Sequence, residues 1–161
     1  MKSLKELAEE FLSKNRIAVA GVSRSGHAVG NAIFKKLYET GHEVFPVNPN
    51  ASYVEGFKCY PSLSQLPVHV EAVVIATGPQ VAPDIIKECG KLGIKWAWIH
   101  KSFGQGSYSK EAVELTKEMG INMITGSCPL MFCKPVDFGH KCIRWYMHFT
   151  RNEPKKSIWY N

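Results

Sequence analysis

Ile17-Ala18-Val19-Ala20-Gly21-Val22 is a short apolar run with no polar residue alternating through it, and it breaks directly into a glycine and serine loop. Neither face of such a run gains from water, so it predicts a strand covered on both sides, as in a parallel sheet. The next segment fits that constraint, because parallel strands need a crossover. Ala28 to Thr40 sets Val29, Ala32, Ile33, Phe34 and Leu37 at helical spacing and closes at Gly41, where a left-handed cap is expected.

The same order of strand, loop and helix then repeats. Glu43 to Val47 reads as a second strand, stopped by Asn48-Pro49-Asn50, and Gly56 to Tyr60 as a short third strand, followed by one helical turn over Ser62 to Leu66. Ala72 to Ala76 is a strand running into Thr77-Gly78-Pro79, and Gln80 to Leu92 a helix ending at Gly93. Lys95 to Ile99 (strand), Ser109 to Met119 (helix) and Ile121 to Ile124 (strand) complete the alternation. Two helices flank it: residues 2–14, where Leu4, Leu7, Ala8, Phe11 and Leu12 form one apolar stripe suited to a lid, and residues 139–149, an added C-terminal helix.

This alternation predicts an α/β architecture: a Rossmann-like, doubly wound parallel sheet with helices on both faces. Its 161 residues, 45% of them hydrophobic, are enough for a single domain over 1–161. In such sheets a ligand sits outside the carboxyl ends of the strands, where strand order reverses. That point falls between the first strand and the Ala72 to Ala76 strand, and sets the loop Gly21 to Gly26 against Ala76 to Pro79.

The loop Gly21-Val22-Ser23-Arg24-Ser25-Gly26 opens into a helix, so backbone N–H groups and the positive helix end are expected to converge there on a phosphate. It departs from the dinucleotide fingerprint, because Ser23 replaces the second glycine. Ser23 and Ser25 offer hydroxyls instead, and Arg24 a charged contact. At the end of the second strand, where an NAD site carries an acidic residue for the ribose hydroxyls, the chain has Asn48. A phosphorylated ribose is then tolerated, and both NADP and coenzyme A carry one.

Charge and composition narrow the partners. A formal charge of +6 favours an anionic small-molecule ligand. The basic residues are spread along the chain and form no nucleic-acid signature, so no nucleic acid is expected. No apolar stretch approaches the ~20 residues that cross a bilayer, and no secretory signal is visible, so the expectations are no membrane and a cytoplasmic location. Five cysteines, an odd and scattered set, read as reduced thiols.

The segments Ala18-Val19-Ala20-Gly21-Val22-Ser23, Gly30-Asn31, Gly41 to Asn50, Glu55 to Leu63 and Ser127-Cys128-Pro129 resemble the small stand-alone bacterial and archaeal CoA-binding domain proteins, themselves similar to the N-terminal domain of the succinyl-CoA synthetase alpha subunit. The resemblance covers roughly residues 10 to 130. It implies that Gly21, Ser23, Arg24 and Ser25 wrap the CoA phosphates, that Val47, Asn48, Pro49 and Asn50 lie along the adenosine end, and that Ala76, Thr77 and Gly78 lie beside the pantetheine arm. The chain departs from the family at Gly78-Pro79, where a second proline is common, and at His100-Lys101, where a glutamine-glycine pair is common.

The remaining constellations are weighed on their chemistry. Cys128, Cys133, His140 and Cys142 fit no closed zinc spacing, so no metal is expected, and buried thiols are the simpler reading. Cys128 as a nucleophile makes the chain an acyl-transfer enzyme, but nothing in the sequence brings His100, His140 or His148 to it. The aromatic and basic stretch Lys141 to Phe149 suits helix packing or a homodimer contact. His100 ends its strand on the ligand side and is the expected polar neighbour of a bound thiol. The expectation is binding of coenzyme A or an acyl-CoA without catalysis of its own, as a carrier, sensor or partner-enzyme subunit. The alternative is an NADP-dependent oxidoreductase, or the nucleotide-binding subunit of one.

Overall fold

The computed structural model describes residues 2–101, 106–136, 139, 141 and 142. In chain order the elements are α1 (Leu4–Leu12), β1 (Arg16–Ala20), α2 (Val29–Glu39), β2 (Glu43–Val47), β3 (Tyr53–Val54), β4 (Phe57–Lys58), β5 (Ala72–Ile75), α3 (Ala82–Leu92), β6 (Trp96–His100), α4 (Lys110–Glu118) and β7 (Asn122–Ser127). Short 3₁₀ turns lie at Leu63–Gln65 and Pro129–Met131. The expected helix over 139–149 falls largely outside the described residues.

β1, β2, β5, β6 and β7 pair in parallel in the order β2-β1-β5-β6-β7, which is the doubly wound, Rossmann-like sheet the alternation predicts. Side chains alternate across it. Ile17, Val19, Val74, Trp98 and Ile124 face a layer made by Leu7 and Phe11 of α1 and by Ile33, Phe34 and Leu37 of α2. Ala18, Ala20, Val73, Ile75 and Ile99 face Ile86 and Cys89 of α3 and Ala112 of α4. Chain order reverses at β1, so β1 and β5 flank the crevice in which such sheets take ligands.

α1 is more firmly held than a lid. Ser3 and Glu6 form a reciprocal capping box, and Phe11, fully buried, meets Trp98 edge-on at 5.2 Å between ring centroids. Burying a phenylalanine contributes about 1.5–3 kcal/mol, so this helix is part of the core.

The expected third strand is also revised. Phe57–Lys58 pairs antiparallel with Tyr53–Val54 in a hairpin separate from the main sheet, and of the expected strand only Tyr60 pairs with that sheet, through a single bridge to Val47. The turn residues Glu55 and Gly56 have φ of 53° and 81°, the left-handed pair that a two-residue hairpin turn requires. β6 and β7 run further than expected, to His100 and Ser127, because the register shifts by a bulge after Ile99 and pairing resumes beyond Gly126. Among the described residues no helix is long and apolar enough to cross a membrane.

Candidate functional site

Gly21 leaves β1 with φ of 102°, and a Cβ placed on it stands 2.4 Å from the carbonyl carbon and oxygen of Ala76. The two expected loops therefore touch, backbone to backbone, and only glycine permits it. A second close approach lies at the start of α2, where a Cβ on Gly30 stands 2.4 Å from the Gly21 carbonyl oxygen. The first turn of α2 is thus pressed onto the loop, and its N-cap, Ala28, supplies no side-chain acceptor for the helix N–H groups. An anion placed there meets those groups and the positive end of the helix.

Within the loop one expectation is corrected. The Ser23 amide is not offered to a ligand, because it donates to Asn31 Oδ1 at 2.7 Å. Asn31 Nδ2 in turn donates to the Ser23 carbonyl at 2.8 Å and to Glu55 Oε1 at 2.8 Å. The Ser25 amide donates to Ser23 Oγ at 3.2 Å, and the two serine hydroxyls are 3.0 Å apart. What the loop presents outward is a hydroxyl pair and the exposed Arg24.

Glu55 closes this network from the hairpin. Its other oxygen takes Lys35 Nζ at 2.8 Å, and the hydrogen bonds from Lys35 and then Asn31 hold its carboxyl below the usual carboxylate range. Sequence reading missed Asn31, Lys35 and Glu55 as site residues. Their contacts span 8 to 24 positions and leave no local pattern.

At the end of β2, Asn48 is structural on both sides of its amide. Nδ2 donates to the Val22 carbonyl at 2.6 Å and Oδ1 accepts the Asn50 amide at 2.8 Å, so the side chain ties the second loop to the first. Val47 is buried, whereas Pro49 and Asn50 stand exposed at the rim.

Across the crevice, Ser107 joins the loops after β5 and β6. Its Oγ donates to the Thr77 carbonyl at 2.7 Å and its amide to the His100 carbonyl at 2.9 Å. Thr77 and Gly78 are half-buried beside Ala76. His100 itself is buried, which pushes its pKa below the ordinary histidine value.

Two of the buried thiols are held protonated and inert. Burial, reinforced by neighbouring Cys128, pushes the Cys133 thiol up to about 12, and burial pushes Cys89 to about 12. Among the described residues no three histidines, cysteines or carboxylates gather to hold a metal. A cleft of about 680 Å³ opens elsewhere, between α1, the end of α2 and residues 132–136. Leu12, Thr40 and His42 line it near the amino ends of β1 and β2, so it lies away from Gly21.

Comparison with known proteins bears on this geometry. A family profile described as "CoA binding domain" matches residues 15–134. The chain is 33% identical over 129 residues to acetate–CoA ligase (ADP-forming) II of Archaeoglobus fulgidus, and 30% identical over 129 residues to the alpha subunit of the corresponding enzyme II of Pyrococcus furiosus. These matches cover 75% and 76% of the chain but only 19% and 28% of the relatives' length. A solved structure of a hypothetical protein from Pyrococcus horikoshii OT3 superposes with a TM-score of 0.74 at 28% identity, covering 82% of this chain and 91% of that one.

Proposed function

The chain belongs to the CoA-binding domain family, and from that premise we propose that it binds coenzyme A or an acyl-CoA across the carboxyl ends of β1 and β5. The observation that carries this reading is the double close approach at Gly21 and Gly30, which brings the loop after β1, the start of α2 and the loop after β5 to one point. A Cβ at either glycine collides with that backbone, so only glycine lets the loops meet at the mouth of the crevice where such sheets take ligands.

In this reading Gly21 and Val22 form the floor and Ser23, Arg24 and Ser25 take the phosphates. Donors are supplied by hydroxyls, the guanidinium and the start of α2 rather than by the Ser23 amide. Val47, Asn48, Pro49 and Asn50 border the adenosine end, where the missing carboxylate leaves room for a phosphorylated ribose. Ala76, Thr77 and Gly78 border the pantetheine arm, and His100 lies at its far end. When bound, the cofactor supplies the thiol chemistry, and no catalytic residue is assigned to this chain.

The single domain over 1–161 is read as a carrier, sensor or subunit for a partner enzyme. Supporting this, the matched ligases are several times longer than the segment they share with it. A cytoplasmic site is the natural setting for such a ligand. Coenzyme A takes precedence over NADP because the family premise favours it.

The test is thermal unfolding with CoA, acetyl-CoA, NADP and NAD titrated side by side. A ligand at a hundred times its Kd stabilises by about 2.7 kcal/mol, a readily measured rise in Tm. CoA or acetyl-CoA is expected to give the largest rise. A larger rise with NADP, or none with any CoA species, overturns the reading.

A further inference from the structure

Among the described residues, three buried side-chain atoms have no hydrogen-bond partner: His100 Nε2, Thr125 Oγ1 and Ser127 Oγ. All belong to the last residues of β6 and β7, at the carboxyl edge of the sheet. His100 and Ser127 are also direct partners in the ladder, beyond the bulge that follows Ile99. Residues opposite each other in a parallel ladder carry their side chains on the same face, so these two side chains share one face at the carboxyl edge of the sheet. Thr125 pairs with Ile99, on the opposite face, and is not part of the pair.

The pair is buried, and the backbone on either side of it is pinned by hydrogen bonds. His100 is 6% exposed and Ser127 1%, so bulk water does not satisfy them. The Ser127 carbonyl accepts from Trp98 Nε1 at 3.1 Å and from the Lys101 amide at 3.2 Å. The His100 carbonyl accepts the Ser107 amide at 2.9 Å, and Ser107 Oγ continues to the Thr77 carbonyl at 2.7 Å. The backbone is therefore saturated while the side-chain atoms are not. Buried polar groups are nearly always paired in a finished structure, so two unpaired in register mark a place completed by an internal water or by a ligand atom.

We propose that His100 Nε2 and Ser127 Oγ recognise the carbonyl oxygen of a short acyl thioester carried by the bound cofactor. The inference rests on the CoA reading and deepens it. A carbonyl oxygen has two lone pairs, and an Nε2–H and an Oγ–H supply two donors for them. Burial keeps His100 neutral, which suits a dipolar partner over a charged one. On the same face as His100, Trp98 packs on Phe132 with 5.7 Å between ring centroids, in an apolar cluster that also holds Met131, and close packing of this kind suits a small acyl group. Free CoA has no oxygen at this position, so the pair distinguishes the acylated cofactor from the free one.

The test is calorimetric titration of the full chain with CoA, acetyl-CoA and S-ethyl-CoA, a thioether of nearly the same size that lacks only the carbonyl oxygen. Acetyl-CoA is expected to bind about tenfold or more tighter than S-ethyl-CoA, because rejecting an analogue that leaves buried donors unpaired is strong discrimination. Ser127→Ala and His100→Phe should each collapse that ratio toward one, with CoA titrated in parallel to check that the site is intact. Ser127→Ala should also leave the Tm of the ligand-free protein unchanged or raised, since it deletes an unpaired hydroxyl. Equal affinities for acetyl-CoA and S-ethyl-CoA, with CoA still bound, overturn the acyl pair and leave the family reading standing. A lowered ligand-free Tm in Ser127→Ala, marking a hydroxyl already paired by internal water, overturns it as well. Failure of all three ligands to bind removes the CoA reading and this inference together.

Discussion

One side chain holds both backbone groups of another residue: Asn31 Oδ1 accepts the Ser23 amide at 2.7 Å while Asn31 Nδ2 donates to the Ser23 carbonyl at 2.8 Å. Asn31 is buried, so the loop is fixed from below and its outward hydroxyls are set before any ligand arrives.

Asn31→Ala should therefore loosen the loop and leave buried backbone groups unpaired, at a cost of about 1–3 kcal/mol. Asn31→Asp should be worse than its size implies, because a carboxylate cannot donate to the Ser23 carbonyl and stands against Glu55. Urea unfolding of the two variants reads the stability order, and CoA titration should show weakened binding in both.

Gly21 and Gly41 both have positive φ, at 102° and 91°, but they differ in surroundings. Gly41 has nothing within 4 Å of a built Cβ, whereas Gly21 has the Ala76 carbonyl at 2.4 Å. Gly41→Ala should cost only backbone strain, of order 1–3 kcal/mol. Gly21→Ala should cost visibly more, since backbone must also move, and should remove ligand binding. Equal unfolding midpoints for the two variants would contradict the contact between the loops.

Arg24 is exposed beside the serine hydroxyls. Arg24→Glu should change ligand-free stability by less than about 0.5 kcal/mol, as for most surface changes. It should nevertheless abolish most of the CoA-induced rise in Tm, because it sets a like charge against the phosphates. An unchanged rise removes this loop from the binding site.

Buried His100 has its folded-state pKa depressed, so the unfolded chain takes up a proton that the folded chain resists. Its effect on stability is absent well above the unfolded value of about 6.5 and becomes a loss as pH falls below it, continuing until the folded value is reached. Urea midpoints measured from pH 7.5 down to 5 should fall for the natural protein and fall less steeply for His100→Phe. Parallel slopes for the two proteins would exclude His100 as the source.

Much of the architecture was legible because it rests on local signals. β2 runs over Glu43–Val47 as read, and α3 stops where Gly93 takes a left-handed cap with φ of 71°. The hairpin was half-missed, since Glu55-Gly56 lacks the asparagine or aspartate that normally marks such a turn. β6 and β7 run past the expected Ile99 and Ile124 because their pairing continues through a bulge, which no local pattern marks. The loop after β1 is legible but its clamp is not: Asn31 and Glu55 stand in segments that carry the family resemblance and Lys35 does not, yet nothing local ties the three to the loop until folding brings them together. Asn48 was noted for the carboxylate it is not, whereas its amide serves to bind Val22.

The hydrogen bond from Asn31 to Glu55 links the crossover after β1 to a hairpin 24 residues downstream. The anion loop is consequently not a portable cassette. A graft carrying only β1 and α2 into another sheet would bring the serines and the arginine but leave behind the acceptor that orients their support, and any transplant meant to retain affinity has to extend at least through Phe57–Lys58.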